Sequence, residues 1–200
     1  MNDGIICQHT LFNTRHSELL SLTINHHLNY CSKHNFDYSY ECSTINQKTG
    51  DWDKIDCITS ALQKYKYVIW LDVDAMIVDT SVDLREAMFK SINVCEYPDP
   101  NKHYHVGVMY FESSPLLDNF MYDWKHCQEN KIFWAEQGVF NYFARGKYKW
   151  IVKKLGNEWN SSKYYNPSKH PIVKAWHGWT EFEPRIKSMR KALKKCELRS

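Results

Sequence analysis

Residues 67–75 read Tyr-Val-Ile-Trp-Leu-Asp-Val-Asp-Ala, an apolar run that ends abruptly in two aspartates. The continuous apolar run from Tyr67 to Leu71 is typical of a strand that is buried on both faces of a sheet. Asp72 and Asp74 are two residues apart, so on an extended chain their carboxylates point to the same side. The stretch therefore predicts a central strand with a pair of acidic side chains at its carboxyl end.

The sequence around this strand alternates between strand and helix patterns. We predict strands at 5–7, 36–40, 67–71, 92–96 and 106–111, and helices at 17–33, 53–65, 83–90, 116–127, 136–143 and 184–198. Such alternation predicts an α/β fold, with a mixed, mostly parallel central sheet and helices on both faces. Between residues 146 and 178 the pattern dissolves into aromatic, Asn-rich sequence, for which we predict loops.

The composition excludes several classes of protein. The chain has 200 residues, of which 43% are hydrophobic and 24% charged, so it is neither collagen-like, low-complexity nor disulfide-dense. The formal net charge of +3 is too small to indicate a nucleic-acid partner. Seven scattered cysteines with no Cys-x-x-Cys pair indicate a reducing compartment and no zinc ribbon. With no signal peptide or membrane span visible in the sequence, we expect a cytoplasmic protein.

The two aspartates are the first candidates for a functional site. Two like charges at a strand end are unfavourable unless a cation lies between them, and hard oxygen ligands suit Mg²⁺, Mn²⁺ or Ca²⁺. The alternative is an ordinary solvated strand end. A calcium loop of the EF-hand type is excluded, because the sixth residue from Asp72 is Ile77 rather than glycine and the twelfth is Asp83 rather than glutamate. Neither Gly-x-Gly-x-x-Gly nor Gly-x-x-x-x-Gly-Lys occurs, so Rossmann dehydrogenases and P-loop NTPases are not indicated.

Residues 67–75 resemble the Asp-x-Asp segment of the GT-A-fold glycosyltransferases, and are most similar to the galactosyl- and mannosyltransferases of family 34. Further stretches resemble this family in the same order: YCSKHNF at 30–36, WDK at 52–54, VGVMYFESS at 106–114, WAEQ at 134–137 and WHGW at 176–179. The resemblance covers roughly residues 5–180. The chain departs from the family at Glu136, where aspartate is common, and at Ser113, where asparagine is frequent. Its compact length is also similar to glycosyltransferases encoded by large algal viruses, the chloroviruses.

The resemblance implies a GT-A domain over residues 1–200 that transfers a hexose from a nucleotide sugar, a UDP-sugar, to a glycan or glycoprotein acceptor with retention. Residues 1–112 would bind the nucleotide sugar, residues 113–180 would hold the acceptor and catalytic groups, and residues 181–200 would form a basic helix. The alternatives are a catalytically inactive sugar-nucleotide-binding or scaffolding protein, and a nucleotidyltransferase. Donor sugar, acceptor and oligomeric state are not predicted.

The resemblance also assigns roles to single residues. Asp72, Asp74 and His177 would hold the metal, and this mixed carboxylate and imidazole set favours Mn²⁺ over Mg²⁺. The donor would be contacted by the remaining candidates: Gln8, His9 and Thr10 at the base and ribose, Lys54 at the phosphates, and Val73 and Gly178 beside the metal ligands.

Glu136 and Gln137 are the catalytic candidates. In retaining relatives the glutamine lies beneath the anomeric carbon. If Glu136 reached the acceptor hydroxyl instead, it would act as a general base for inversion. A structural alternative is that Glu136 only caps a helix.

Two further groups of residues have a functional and a structural interpretation. The first is a set of aromatic residues that would form an acceptor-sugar platform or pack in the core: Trp134, Trp159, Trp176, Trp179, Tyr164 and Tyr165. The second is a basic tail that would face nucleic acid or an anionic membrane, or be the solvated face of a terminal helix: Arg185, Lys187, Arg190, Lys191, Lys194 and Lys195. We favour the structural interpretation of the tail, with Ile186, Met189 and Leu193 packing inward.

Overall fold

The computed structural model of the protein describes residues 2–11, 14–43, 50–99, 101–127, 135–163, 167–177 and 181–198. Within these ranges the strands are β1 (Gly4–Leu11), β2 (Phe36–Ser43), β3 (Tyr67–Asp72), β4 (Ala75–Ile77), β5 (Ile92–Glu96), β6 (Tyr104–Glu112), β7 (Val152–Lys154), β8 (Ser161–Ser162) and β9 (Val173–Ala175). The helices are α1 (Thr14–His34), α2 (Gly50–Leu62), α3 (Pro115–His126), α4 (Ala135–Arg145) and α5 (Phe182–Glu197).

The larger sheet has the strand order β2-β1-β3-β6-β5-β7. Strand β6 runs antiparallel to both of its neighbours, β3 and β5, whereas the other neighbouring pairs are parallel. The apolar strand β3 lies between β1 and β6, as its continuous hydrophobic run predicts. This confirms the predicted mixed, mostly parallel sheet.

Both faces of this sheet are covered. Val68 and Trp70 of β3 point to one face, where they share a core with apolar residues of α2, α3 and α4. Ile69 and Leu71 point to the other face and pack with α1, through Tyr30, and with the smaller sheet. This alternation along one strand places helices on both faces, which confirms the prediction.

The smaller sheet has the order β4-β9-β8. Strand β4 follows β3 after a two-residue turn and pairs antiparallel with β9, with Ala75 opposite Ala175. The Trp176 amide donates to the carbonyl of Asp74 at 2.9 Å. The prediction of loops throughout 146–178 is therefore wrong, because this stretch contains β7, β8 and β9. Strands of two or three residues carry too little periodicity to be recognised in a sequence.

The predicted helix at 83–90 is also wrong, since only a single 3-10 turn forms there, at Leu84–Ala87. The side chain of Asn93 accepts hydrogen bonds from the amides of Phe89 and Lys90, both at 3.0 Å. These bonds draw the chain towards β5 instead of continuing a helix. The other predicted helices and strands are present, with bounds that differ by a few residues.

Two aromatic platform candidates belong to the core. Trp159 is 8% exposed and Trp176 is fully buried, so neither ring presents a face to a sugar. The other four, Trp134, Tyr164, Tyr165 and Trp179, lie outside the described residues.

Helix α5 buries Ile186 and Met189 against α1, which agrees with the structural interpretation of the basic tail. Among the described helices, none combines the length and the apolar character that crossing a bilayer requires.

A buried polar network supports the turn between β3 and β4. The side-chain amide of Gln8, on β1, donates to the carbonyls of Asp72 and Ala75, each at 3.3 Å. The Gln8 carbonyl oxygen in turn accepts hydrogen bonds from three side chains, those of Thr23, His27 and Tyr38. Gln8 is 1% exposed, and its hydrogen bonds to the carbonyls of Asp72 and Ala75 fix the backbone of the turn from inside the protein.

His27 is the titratable member of this network. Its Nδ1 lies 3.1 Å from the Gln8 oxygen, and its Nε2 accepts from the Ile77 amide at 3.3 Å, so the ring is neutral with its proton on Nδ1. Burial, reinforced by His26, lowers the pKa of His27 to about 3. The folded protein therefore stays unprotonated at His27 under conditions where the unfolded chain takes up a proton.

This proton linkage predicts a loss of stability in mild acid. The unfolded chain binds a proton at His27 below about pH 6.5, whereas the folded chain does so only near pH 3. The stabilising contribution is complete above pH 6.5 and decreases as the pH falls, by about 2 kcal/mol at pH 5. Urea unfolding of His27→Gln at pH 7.5 and 5 should show a pH dependence smaller by that amount than the wild type. His26→Gln is the matched control, and equal pH dependence in His27→Gln and wild type would contradict the prediction.

Candidate functional site

The turn between β3 and β4 positions both aspartates at the carboxyl edge of the larger sheet. Asp72 is the last residue of β3, and its side chain is 31% exposed. The side chain of Asp74 is only 11% exposed. Val73, between them, packs its side chain into the core beside α1 and α5, so any contact of Val73 with a ligand falls to its backbone.

His177 reaches the same place from the residue pair that follows β9. Its Nδ1 lies 3.1 Å from Oδ1 of Asp74. The pairing of β4 with β9 produces this contact, because it aligns the start of one strand with the end of the other. Two residues that are far apart in the sequence thus become neighbours through a short antiparallel pair.

Gly107 on β6 makes room for this arrangement. Leu71 pairs with Val108, so Gly107 lies one position along, beside Asp72. A Cβ at Gly107 would lie 2.6 Å from Nε2 of His177 and 2.8 Å from Oδ2 of Asp72. Only glycine leaves space for both side chains at this point of β6.

Asp72, Asp74 and His177 form a candidate metal centre, as the sequence predicts. Each offers one ligand atom, and these atoms lie within 4.8 Å of one another. Nε2 of His177 is buried and has no hydrogen-bond partner among the described residues. A carboxylate and imidazole set with an unsatisfied buried nitrogen fits a divalent cation.

The charges around Asp74 compensate one another. Burial by itself would raise the pKa of Asp74, but attraction to His177 and Arg185 outweighs it and holds the pKa below its usual value. Burial likewise would lower the pKa of His177, and Asp74 reverses the effect, so that the net shift is upward. A metal ion binds the neutral form of imidazole, so protonation of His177 would oppose metal binding at this centre.

Arg185 is a site residue that the sequence reasoning missed. Its Nη1 lies 3.3 Å from Oδ2 of Asp74, the oxygen that His177 does not contact. In the sequence Arg185 is the first member of the basic tail and has no motif of its own. No sequence signal separates it from the other tail cations, such as Arg190, which pairs with the exposed Glu18 at 3.2 Å.

Lys54 connects the metal centre with the catalytic candidates. Its side chain is 8% exposed, and its Nζ lies 3.4 Å from Oδ1 of Asp72 and 3.1 Å from Oε1 of Glu136. Trp70 donates from Nε1 to the same Asp72 oxygen at 2.8 Å. Lys54 is therefore a buried cation between two carboxylates, next to the place where the sequence predicts phosphates.

Glu136 and Gln137 lie in the first turn of α4, next to Lys54. Glu136 is 7% exposed, its carboxylate is held by Lys54, and its backbone carbonyl accepts from Nε1 of Trp124 at 2.8 Å. Gln137 is half-buried, with its side-chain oxygen 3.4 Å from the amide of Val106. The ion pair with Lys54 gives Glu136 a role other than helix capping.

His105 is a second residue that the sequence reasoning missed. It is 3% exposed, and its ring centroid lies 4.0 Å from that of His177. Nδ1 of His105 accepts from the amide of Gly107 at 3.0 Å, so the proton is on Nε2, which has no partner among the described residues. Burial lowers the pKa of His105 well below its usual value. Its sequence signal is weak: it stands two residues before Gly107, and so on the same face of β6.

The remaining donor-binding candidates are placed only in part. The side chain of Gln8 is directed to the turn beneath Asp72, so a donor contact would have to come from its backbone. His9 and Thr10 lie on β1, but their side chains are outside the described part of the chain, and so is all of Gly178. Their roles stay predictions.

Comparisons with known proteins agree with this fold. The sequence profile of the galactosyl transferase GMA12/MNN10 family matches residues 5–137. No curated protein sequence matches the chain. A solved glycosyltransferase involved in the glycosylation of the major capsid of PBCV-1 is 14% identical, with a TM-score of 0.76 over 94% of this chain and 98% of that one. The galactosyltransferase LgtC, solved with donor and acceptor sugar analogs, is 9% identical, with a TM-score of 0.61 over 92% of this chain and 95% of that one. These similarities confirm the predicted GT-A fold.

The crowding at Gly107 predicts that a single methyl group blocks the centre. In Gly107→Ala the new Cβ would lie 2.8 Å from Oδ2 of Asp72 and press on His177. We expect Mn²⁺ affinity, followed by the electron paramagnetic resonance signal of free Mn²⁺, to fall at least tenfold, about 1.4 kcal/mol, with the circular dichroism spectrum retained. The control is Gly156→Ala, whose Cβ would meet the flexible end of Glu158. Unchanged Mn²⁺ affinity in Gly107→Ala would show that Gly107 does not define the centre.

Proposed function

The chain belongs to the galactosyl transferase GMA12/MNN10 family and is a glycosyltransferase, and we propose that it transfers a hexose from a UDP-sugar to a glycan or glycoprotein acceptor with the help of Mn²⁺. The observation that carries this proposal is the convergence of Asp72, Asp74 and His177 beside Gly107 at the carboxyl edge of the sheet. In open α/β sheets this edge is where ligands bind. The predicted kinship with compact algal-virus enzymes is supported by the similarity to the PBCV-1 protein.

Asp72, Asp74 and His177 would hold the metal against the diphosphate of the donor. Departure of the nucleoside diphosphate leaves negative charge on its oxygens, and a bound divalent cation supplies Lewis-acid stabilisation of that charge. His177 would bind the cation through neutral imidazole, and the ring of His105, with its centroid 4.0 Å away, packs against the His177 ring. Gln8 keeps the turn from shifting by holding the carbonyls of Asp72 and Ala75.

Lys54 would link donor binding to the catalytic residues. Its ammonium lies between Asp72 and Glu136 and forms an ion pair with each. A weaker ion pair with Asp72 would therefore leave a stronger one with Glu136. When Asp72 is engaged by a cation, Lys54 is expected to pair more closely with Glu136. Lys54 thereby positions Glu136 and adds positive potential to the phosphate region.

We propose a retaining reaction in which Gln137 supports the transition state. The bond between the anomeric carbon and the diphosphate oxygen breaks, the acceptor oxygen bonds to the same face, and the acceptor proton passes to the departing phosphate. Gln137 is half-buried, and its amide oxygen would lie against the developing positive charge of the sugar ring. Glu136 is a poorer candidate for a general base, because it would have to leave Lys54 to take up a proton.

Donor binding gives the first test of this function. Nucleotide sugars and their diphosphates are added to the protein with and without Mn²⁺, and the unfolding midpoint is measured. A donor at 100 times its dissociation constant should stabilise the fold by about 2.7 kcal/mol.

Asp74→Asn should lose the Mn²⁺-dependent part of this shift, and it should also lose turnover. Asp118→Asn, at an exposed position on α3, is the matched control. Turnover that survives both chelation and Asp74→Asn would refute the metal-dependent mechanism, and binding without turnover would indicate an inactive relative.

The stereochemical outcome is tested separately, by nuclear magnetic resonance of the anomeric proton in the first product formed. We expect the product to keep the anomeric configuration of the donor. Gln137→Ala should then lower kcat roughly 10²-fold, whereas Glu136→Gln should reduce it less. An inverted product, together with a loss of roughly 10²–10⁴-fold in Glu136→Gln, would instead identify Glu136 as a general base.

A further inference from the structure

The least expected contact in the site is the one that Arg185 makes with Asp74. The two oxygens of Asp74 have different cationic partners: Oδ1 faces His177 at 3.1 Å and Oδ2 faces Arg185 at 3.3 Å. With its side chain 11% exposed, Asp74 has little access to water. A buried carboxylate needs such compensation, because an unpaired charge in this environment is strongly destabilising.

Compensation by Arg185 and ligation of a metal compete for the same carboxylate. A divalent cation among Asp72, Asp74 and His177 would place two positive charges next to the guanidinium, and charges of equal sign so close together repel each other. The contact is suited to exchange, because 3.3 Å between Nη1 of Arg185 and Oδ2 of Asp74 is long for a charge-assisted hydrogen bond. The side chain of Arg185 is 21% exposed, which leaves it a way out to solvent.

We propose that Arg185 is the counter-ion of Asp74 in the metal-free protein, that it gives up this contact when a divalent cation binds, and that it thereby sets the affinity of the centre for metal. The inference rests on the metal dependence proposed above and adds a residue of the C-terminal helix to it. Arg185 stabilises the fold before the cation arrives and weakens the binding of that cation. The role belongs to this tail residue alone among those whose contacts are described: Arg190 pairs instead with Glu18.

The position of α5 does not depend on this contact, so Arg185 can be changed without displacing the helix. Ile186 and Met189 are buried in a core with Leu19 and Leu20 of α1. Nε1 of Trp176 also donates to the hydroxyl of Ser188 at 2.8 Å. These contacts hold α5 against the body of the protein in the turn that follows Arg185.

The test compares the wild type, Arg185→Gln, Arg185→Lys and Arg190→Gln by titration with Mn²⁺, with the free-ion resonance signal as the readout and no turnover involved. We expect Arg185→Gln to bind Mn²⁺ about three- to tenfold more tightly. Its unfolding midpoint without metal should be lower than that of the wild type, and its rise on Mn²⁺ addition should be larger. Arg185→Lys keeps the charge and should retain wild-type affinity, as should Arg190→Gln.

Each other outcome contradicts the proposal in a distinct way. Weaker Mn²⁺ binding in Arg185→Gln would mean that Arg185 positions Asp74 for the metal, and unchanged affinity would mean that the contact has no influence on the centre. No binding of Mn²⁺ to the wild type would overturn both this inference and the metal-dependent function. If Mn²⁺ binds as expected but no nucleotide sugar does, the proposed function fails while the role of Arg185 stands.

Discussion

The buried carboxylate of Asp74 is the constraint around which the functional end of this protein is organised. Its desolvation is offset mainly by positive charge brought from other parts of the chain, His177 after β9 and Arg185 at the start of α5. Those partners tie the short sheet and the C-terminal helix to the turn that follows the central strand. A divalent cation would offset the same charge, so the contacts that stabilise the metal-free fold are the ones that binding must rearrange.

Rigid support under the turn complements this charge balance. Gln8 fixes the turn carbonyls, and neutral His27 connects Gln8 to the amide of Ile77 on β4. Metal-ligating side chains on a turn whose backbone is already fixed need less reordering when a metal or donor binds. The support depends on His27 remaining unprotonated, which its burial ensures at neutral pH.

Lys54 is the second connection, and it joins metal ligand and catalytic candidate into one electrostatic unit. The ammonium of this buried lysine contacts both carboxylates, that of Asp72 at 3.4 Å and that of Glu136 at 3.1 Å. Trp52 and Lys54 can be recognised from the sequence as a motif, and the motif predicts that Lys54 lies near the phosphates of the donor. That Lys54 also restrains Glu136 follows only from the packing of α2 beside α4, and it is the reason for preferring Gln137 as the residue at the sugar.

The sequence by itself determined the features that depend on neighbouring residues. The apolar run at 67–71 predicts a buried strand, and the aspartates that follow it then lie at its end, because chain direction and side-chain alternation are local properties. The motif order was sufficient to predict the family, the α/β fold and the three candidate ligands. Tertiary structure alone decided the partners. Asp74 and Arg185 are 111 residues apart. The contact of His105 with His177 and the direction of the Gln8 side chain towards the turn carry little or no signal in the local sequence. The helix expected at 83–90 failed for the same reason, because Asn93 on β5 captures the amides of Phe89 and Lys90. Periodicity reports which face of an element is apolar, whereas compensation of a buried charge depends on which elements the fold brings together.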